Sequence, residues 1–141
     1  MAEANTPAMT LSQFLADNPV NNLTAEIYVS ERFKKAGFPF KIRAMSGQEF
    51  SSYQKQATAV GRHKQINFDN QLFNELVVLN HCVVPNFKDA AEISSVGCSS
   101  PEQFLYSRLL AGEIVELAQQ IVKLSGFDQD IDGQVEEVKN S

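Results

Sequence analysis

The chain has 141 residues, a hydrophobic content of 43% and a formal net charge of −5 at pH 7. This length and apolar content fit one domain with a substantial hydrophobic core. The acidic balance argues against a general nucleic-acid-binding protein. The longest apolar stretch without charges, residues 76–87, is too short and too polar to span a membrane, and two cysteines are too few for a disulfide scaffold.

Charge is distributed unevenly along the sequence. Residues 31–65 carry eight basic residues against two acidic ones, whereas residues 126–141 carry five acidic residues against one lysine. One interpretation is an ordinary solvated surface, and the other is a dipolar molecule whose basic region meets an acidic partner. The second interpretation predicts a partner-binding set of basic residues, namely Arg32, Lys34, Lys35, Lys41 and Arg43.

The start of the chain contains small and polar residues, and residues 1–9 are predicted to be disordered. No positively charged segment followed by an apolar one opens the chain, which favours a cytoplasmic protein. Thr10 and Gln13 then form a capping-box pattern. This pattern predicts a short helix that ends near Asn18, since Pro19 follows.

Alternation of apolar and polar residues predicts two β-strands in the next segment. Residues 25–33 alternate in this way, and so do residues 40–44. Gly37 lies between them and permits the positive φ of a turn, so the segment of about 25–45 is predicted to form an antiparallel β-hairpin. Pro39 places the start of the second strand at a sheet edge or at a bulge.

A second capping box, formed by Ser46 and Glu49, begins a predicted helix. Apolar residues at helical spacing continue it from about residue 47 to residue 60. Gly61 ends this helix, and a basic loop follows at residues 62–64.

The next predicted helix is capped by either Asn67 or Asp69 and ends before Pro85. Its apolar face is wide, so this helix is expected to be the central one. Leu76 and Leu79 on this helix are expected to be nearly fully buried.

Two further helices complete the predicted fold. Ser100 followed by Pro101 is typical of a helix start, and a final helix ends at Gly126. Phe104 and Ile121 on these helices are expected to be buried.

The predicted class is α+β and mostly helical, with one antiparallel β-hairpin at about 25–45 packed on four to five helices. A single globular domain is expected at residues 10–127. The acidic tail at residues 128–141 is expected to be mobile.

No sequence motif in the chain indicates a catalytic mechanism. The sequence lacks the G-x-S-x-G and H-E-x-x-H motifs and a phosphate-binding glycine loop. The spacing of His63, His81, Cys82 and Cys98 fits no zinc motif, and the aspartates at 128–132 lack the glycine position and closing glutamate of a calcium loop. We therefore predict no enzymatic activity, no cofactor and no metal ion.

Several short motifs occur in a distinctive order. The front half contains LSQFL before Asn-Pro, then VSERF and FKIRA; the rear half contains VVPNFKD, a helix begun by Ser-Pro, LLAGE, a helix that ends Gly-Phe, and VEEVKN. This order resembles that of the XkdN-like phage tail assembly chaperones. The turn at residues 34–37 departs from the resemblance, since it is basic where that family has an acidic Asp-Gly-type turn.

The resemblance implies a non-catalytic chaperone encoded by a tailed phage or a defective prophage. Such proteins hold the long tape measure protein soluble and help tail-tube subunits to polymerise around it, by transient packing of apolar helices. The resemblance also implies action in the host bacterial cytoplasm and absence from the mature virion. The alternative is a structural subunit that stays in the virion, such as a tail-completion or head–tail connector protein. Nucleic acid and membranes are not expected partners.

Overall fold

The computed structural model describes residues 9–127, and within this range the fold is α+β and mostly helical, as predicted. The helices are α1 Leu11–Asp17, α2 Glu31–Ala36, α3 Gly47–Gln56, α4 Asn70–His81, α5 Ala90–Ser95, α6 Pro101–Arg108 and α7 Ala111–Val122. The strands are β1 Thr24–Ile27, β2 Phe40–Arg43, β3 Thr58–Val60, β4 Ile66–Phe68 and β5 Cys82–Val84. This part of the chain thus has seven α-helices where four to five were expected. The ends that were expected to be mobile, 1–9 and 128–141, lie outside the described residues except for Met9.

The predicted pairing of antiparallel strands is present, but the connection between them is a helix. Strand β1 pairs with β2 in antiparallel register, from Thr24 opposite Arg43 to Ile27 opposite Phe40. The prediction of a strand over residues 25–33 is wrong beyond Ile27, because α2 begins at residue 31. Gly37 adopts a φ of 69° at the end of α2, where it caps the helix rather than turning a hairpin.

Strand β2 lies at the centre of a three-stranded sheet with the order β1-β2-β5. Pro39 was predicted to place the start of this strand at an edge or at a bulge, and the edge alternative is wrong because Pro39 precedes a central strand. A register shift between Lys41 and Ile42 does occur, on the side that faces β5. The predicted helix up to Pro85 ends earlier, because residues 82–84 pair with β2.

A second, two-stranded antiparallel sheet is formed by β3 and β4. The sequence predicted helix up to residue 60, but α3 ends at Gln56 and β3 follows. A tight turn joins the strands, with the Gln65 N–H donating to the Arg62 carbonyl at 3.3 Å. His63 and Lys64 in this turn have φ values of 61° and 62°.

The core lies where α4 and α7 pack against each other and against the three-stranded sheet. Leu79, Phe104 and Ile121 are buried, as predicted. Leu76 is only half-buried, so that prediction is wrong. The buried face of α4 is rotated toward Val77 and its neighbours, because the helix also packs against α3.

Candidate functional site

The five basic residues predicted to bind a partner lie on α2 and on the central strand β2. Lys34 and Lys35 are exposed in the last turn of α2. Lys41 is half-buried on β2. Arg32 and Arg43 both make hydrogen bonds within the protein. The structure therefore places the five on neighbouring elements and gives two of them structural partners.

Arg32 binds a buried carboxylate. Its Nε and Nη2 atoms donate to the two oxygens of Glu113 at 2.5 and 2.6 Å. The Ser30 hydroxyl and the Leu110 N–H donate to the same carboxylate at 2.6 and 2.7 Å. The hydrogen bonds from Arg32 and Ser30 lower the pKa of Glu113 to about 2, against the opposing effect of burial. A carboxylate held by four donors is a structural link between α2 and the start of α7.

A second buried polar cluster surrounds His81 at the end of α4. The Tyr53 hydroxyl lies 2.8 Å from His81 Nε2, and a Glu49 oxygen lies 3.9 Å from the same nitrogen. Burial and the nearby Arg43 guanidinium lower the pKa of His81 to about 4, so the ring is neutral near pH 7. Arg43 is itself fixed, since its Nη2 donates to the Asn80 carbonyl at 2.7 Å. This cluster joins α3, β2 and α4 in the interior.

The candidate metal ligands and the cysteines within residues 9–127 do not form a cluster. Within residues 9–127, no three His, Cys, Asp or Glu side chains lie close enough to hold a metal ion. Cys82 is buried, and burial raises the pKa of its thiol above the ordinary range. None of the helices over these residues has the length and apolar character needed to cross a membrane.

Helix α1 forms an exposed apolar surface. The capping box of Thr10 and Gln13 is present as predicted, with the Gln13 N–H donating to the Thr10 hydroxyl at 3.2 Å. Yet α1 has no buried residue, and its apolar side chains Leu11, Phe14 and Leu15 are 73%, 52% and 56% exposed. This exposure was not predictable from the sequence, because the apolar spacing of α1 is the same as that of a core helix.

A groove of about 840 Å³ lies between α1 and the body of the protein. Phe14 and Leu15 line one side, and Met45 and Leu124 line the other. Val20 and Leu23, which follow α1, are also exposed and line the same groove. Exposed apolar side chains around an apolar groove are typical of a protein–protein binding site.

Comparison with known proteins finds related sequences along almost the whole chain. The model of the family described as phage XkdN-like tail assembly chaperone protein matches residues 11–139. The uncharacterized protein YqbN of Bacillus subtilis (strain 168) is 26% identical over 145 residues, which cover 96% of this chain and 97% of YqbN. The phage-like element PBSX protein XkdN of the same organism is 23% identical over 149 residues, which cover 99% of this chain and 100% of XkdN.

The crystal structure of YqbN is also similar to this chain. Its TM-score is 0.52 at 21% identity, and the superposition covers 72% of this chain and 83% of the YqbN chain. This likeness shows a shared fold. Because the family match extends over most of the sequence, the chain belongs to the XkdN-like family of phage tail assembly chaperones.

Proposed function

We propose that this protein binds the tape measure protein of its own phage or prophage and keeps it soluble until the tail tube assembles. Membership of a tail assembly chaperone family supports a role in tail assembly, and the tape measure protein is the partner that we propose. The tail-tube protein is a second proposed partner. The action is non-catalytic, takes place in the bacterial cytoplasm and leaves no copy of the chain in the finished virion.

The observation that carries this proposal is the exposure of α1 beside its groove. Phe14 and Leu15 present apolar surface that a helix of the partner would cover. Since α1 contributes no buried residue to the core, moving it to admit a partner exposes little additional apolar surface. A surface of this kind suits reversible masking of apolar helical segments, which is what a chaperone for an aggregation-prone protein must do.

The basic residues have a different part in the proposal. Lys34 and Lys35 are exposed and attract acidic segments of the partner during encounter. Lys41 on β2 adds to the same positive electrostatic potential. Arg32 and Arg43 already bind Glu113 and Asn80, so they contribute charge at long range more than direct contact.

Co-expression with the tape measure protein of the same genome tests the proposal. The soluble yield of the tape measure protein should rise, and the two proteins should co-elute in size-exclusion chromatography. Purified virions should contain none of this chain by mass spectrometry. If the chain is found in stoichiometric amounts in purified tails, it is a structural subunit, such as a tail-completion or connector protein, and the chaperone proposal is wrong.

A further inference from the structure

The β3–β4 hairpin presents a second apolar surface. Every residue of the two strands is exposed. Val60 lies opposite Ile66 in the register, and these two side chains are 73% and 74% exposed. Thr58 lies opposite Phe68, and because side chains alternate along a strand, these four residues share one face of the hairpin. That face is apolar except for the Thr58 hydroxyl.

This face continues into a groove lined by aromatic rings. The Phe68 ring centroid is 5.6 Å from that of Phe73, which is 5.7 Å from that of Phe50, which in turn is 5.0 Å from that of Phe127. The groove has a volume of about 460 Å³, and α3, α4 and α7 form its walls. These centroid distances are those of aromatic rings in contact, so the four rings form one continuous apolar lining of the groove.

The charged residues that line this groove and form the hairpin tip are basic, although the whole chain has a net charge of −5. Lys123 lines the groove, and the other polar residues that line it are the amides Gln54, Asn70, Asn74 and Gln119. The hairpin tip carries Arg62, His63 and Lys64, all exposed. Charge complementarity therefore favours a partner with carboxylates.

The backbone of the tip gives independent support for a binding role. His63 and Lys64 are consecutive residues with left-handed φ, a turn geometry for which Asn followed by Gly is preferred. The tip thus holds two long side chains in a backbone conformation that glycine and asparagine adopt more readily. Strain of this kind at an exposed site is typical of a functional one.

We propose that the face of Val60, Ile66 and Phe68, together with the aromatic groove, binds an amphipathic α-helix whose apolar side enters the groove. Carboxylates at one end of that helix reach the basic tip of the hairpin. The helix belongs to the tape measure protein, so this inference depends on the proposed function. It adds a second contact surface, apart from α1, and a chemical class for the partner segment.

Binding of peptides that tile the tape measure protein of the same genome tests this surface. The full chain should bind at least one acidic amphipathic peptide, measured by fluorescence anisotropy. The double substitution Val60→Thr and Ile66→Thr should weaken that binding about tenfold, because it removes apolar contact area at an interface centre. Val84→Thr is the matched control, a partly exposed valine at the end of β5, and should leave the affinity unchanged. All variants should keep the wild-type melting temperature.

The double substitution His63→Asn and Lys64→Gly tests whether the basic hairpin tip contributes to peptide binding. It should keep or raise the melting temperature, because the new residues suit the turn. It should nevertheless weaken peptide binding and reduce its dependence on salt, because it removes positive charge. Loss of affinity together with retained stability separates a binding role from a folding role.

The possible failures can be told apart. If no tape measure peptide binds the wild-type chain, both the proposed function and this inference are wrong. If peptides bind the Val60→Thr and Ile66→Thr variant as tightly as the wild type, only the hairpin surface is wrong. Displacement of the bound peptide by a synthetic peptide of residues 128–141 assigns the groove to the chain's own C-terminal segment. If the wild-type chain self-associates and the Val60→Thr and Ile66→Thr variant does not, the groove binds a second copy of the chain. Either of these two results overturns this inference.

Discussion

The guanidinium of Arg32 and the carboxylate of Glu113 form a two-point ion pair across 81 positions of sequence. Arg32 lies on α2, within the connection between β1 and β2, and Glu113 lies in the first turn of α7. The carboxylate is only 2% exposed, and its position near a helix N-terminus adds a favourable interaction with the helix dipole. This pair holds the helical connection of the sheet against the helix that forms much of the core.

Substitution of Glu113 by Gln should destabilise the protein. The change keeps the size of the side chain but replaces charge-assisted hydrogen bonds by weaker neutral ones, so we expect a loss of about 1.5–3 kcal/mol in the free energy of unfolding. Urea denaturation monitored by circular dichroism measures it. Glu102→Gln, which removes an exposed acid from the first turn of α6, should change stability by less than about 0.5 kcal/mol. Equal effects of the two substitutions would show that the buried pair is not a structural link.

Stability should decrease as the pH is lowered from about 6.5 to about 4. The pKa of His81 is about 4 in the folded protein, so in this range the unfolded chain, with a histidine pKa of about 6.5, binds a proton that the folded protein excludes. A further decrease is expected between about pH 4.5 and pH 2, because the pKa of Glu113 is lowered to about 2.

Urea denaturation at a series of pH values measures the first of these effects. The His81→Gln variant should show a smaller loss of stability between about pH 6.5 and pH 4.5 than the wild type. His63→Gln, on the exposed hairpin tip, is the control for removal of a histidine. An unchanged slope in His81→Gln would show that the buried ring does not govern the pH dependence.

Truncation of Leu117 should destabilise the core strongly. Leu117 lies on α7 with no exposed surface, so Leu117→Ala should cost about 2–5 kcal/mol through lost burial and the cavity left behind. Leu76→Ala should cost less, because Leu76 is only half-buried on α4. Comparison of the two urea midpoints checks the orientation of α4 directly, and a larger loss for Leu76→Ala would contradict it.

Polar substitution of α1 should weaken partner binding without weakening the fold. Phe14→Ser with Leu15→Ser removes apolar surface from a helix that has no buried residue, so the melting temperature should stay near that of the wild type. The soluble yield of the co-expressed tape measure protein should fall. Leu110→Ser, which changes an exposed leucine before α7, should leave that yield intact. If the α1 variant solubilises the partner as well as the wild type, α1 is not the contact surface.

Rising salt should weaken partner binding without abolishing it. Charge from Lys34, Lys35 and their neighbours mainly accelerates encounter, whereas apolar burial holds the complex together. Surface plasmon resonance at increasing salt should therefore show a falling association rate and a nearly constant dissociation rate. Complete loss of binding at high salt would contradict an interface held by apolar contact.

Features that depend on short-range chemistry were predictable from the sequence alone. The side chains of Thr10, Ser46 and Ser100 cap helices where predicted, because an N-cap hydrogen bond joins residues only three positions apart. Asp69, one of two possible caps for α4, accepts the Leu72 N–H at 3.0 Å. The order of motifs along the chain likewise predicted the family that the comparison shows.

Which short segments form strands, and which charged side chains form internal ion pairs, depends on contacts between residues far apart in the sequence. Residues 82–84 leave the helical pattern because β2 offers them a pairing edge, a partner about 40 positions away that no local pattern reveals. Arg32 belonged to a basic run in the sequence, yet its guanidinium binds Glu113, since the fold brings a buried carboxylate to it. The exposure of α1 and of the β3–β4 hairpin follows from the absence of packing partners among residues 9–127, and periodicity alone does not distinguish such surfaces from a core face.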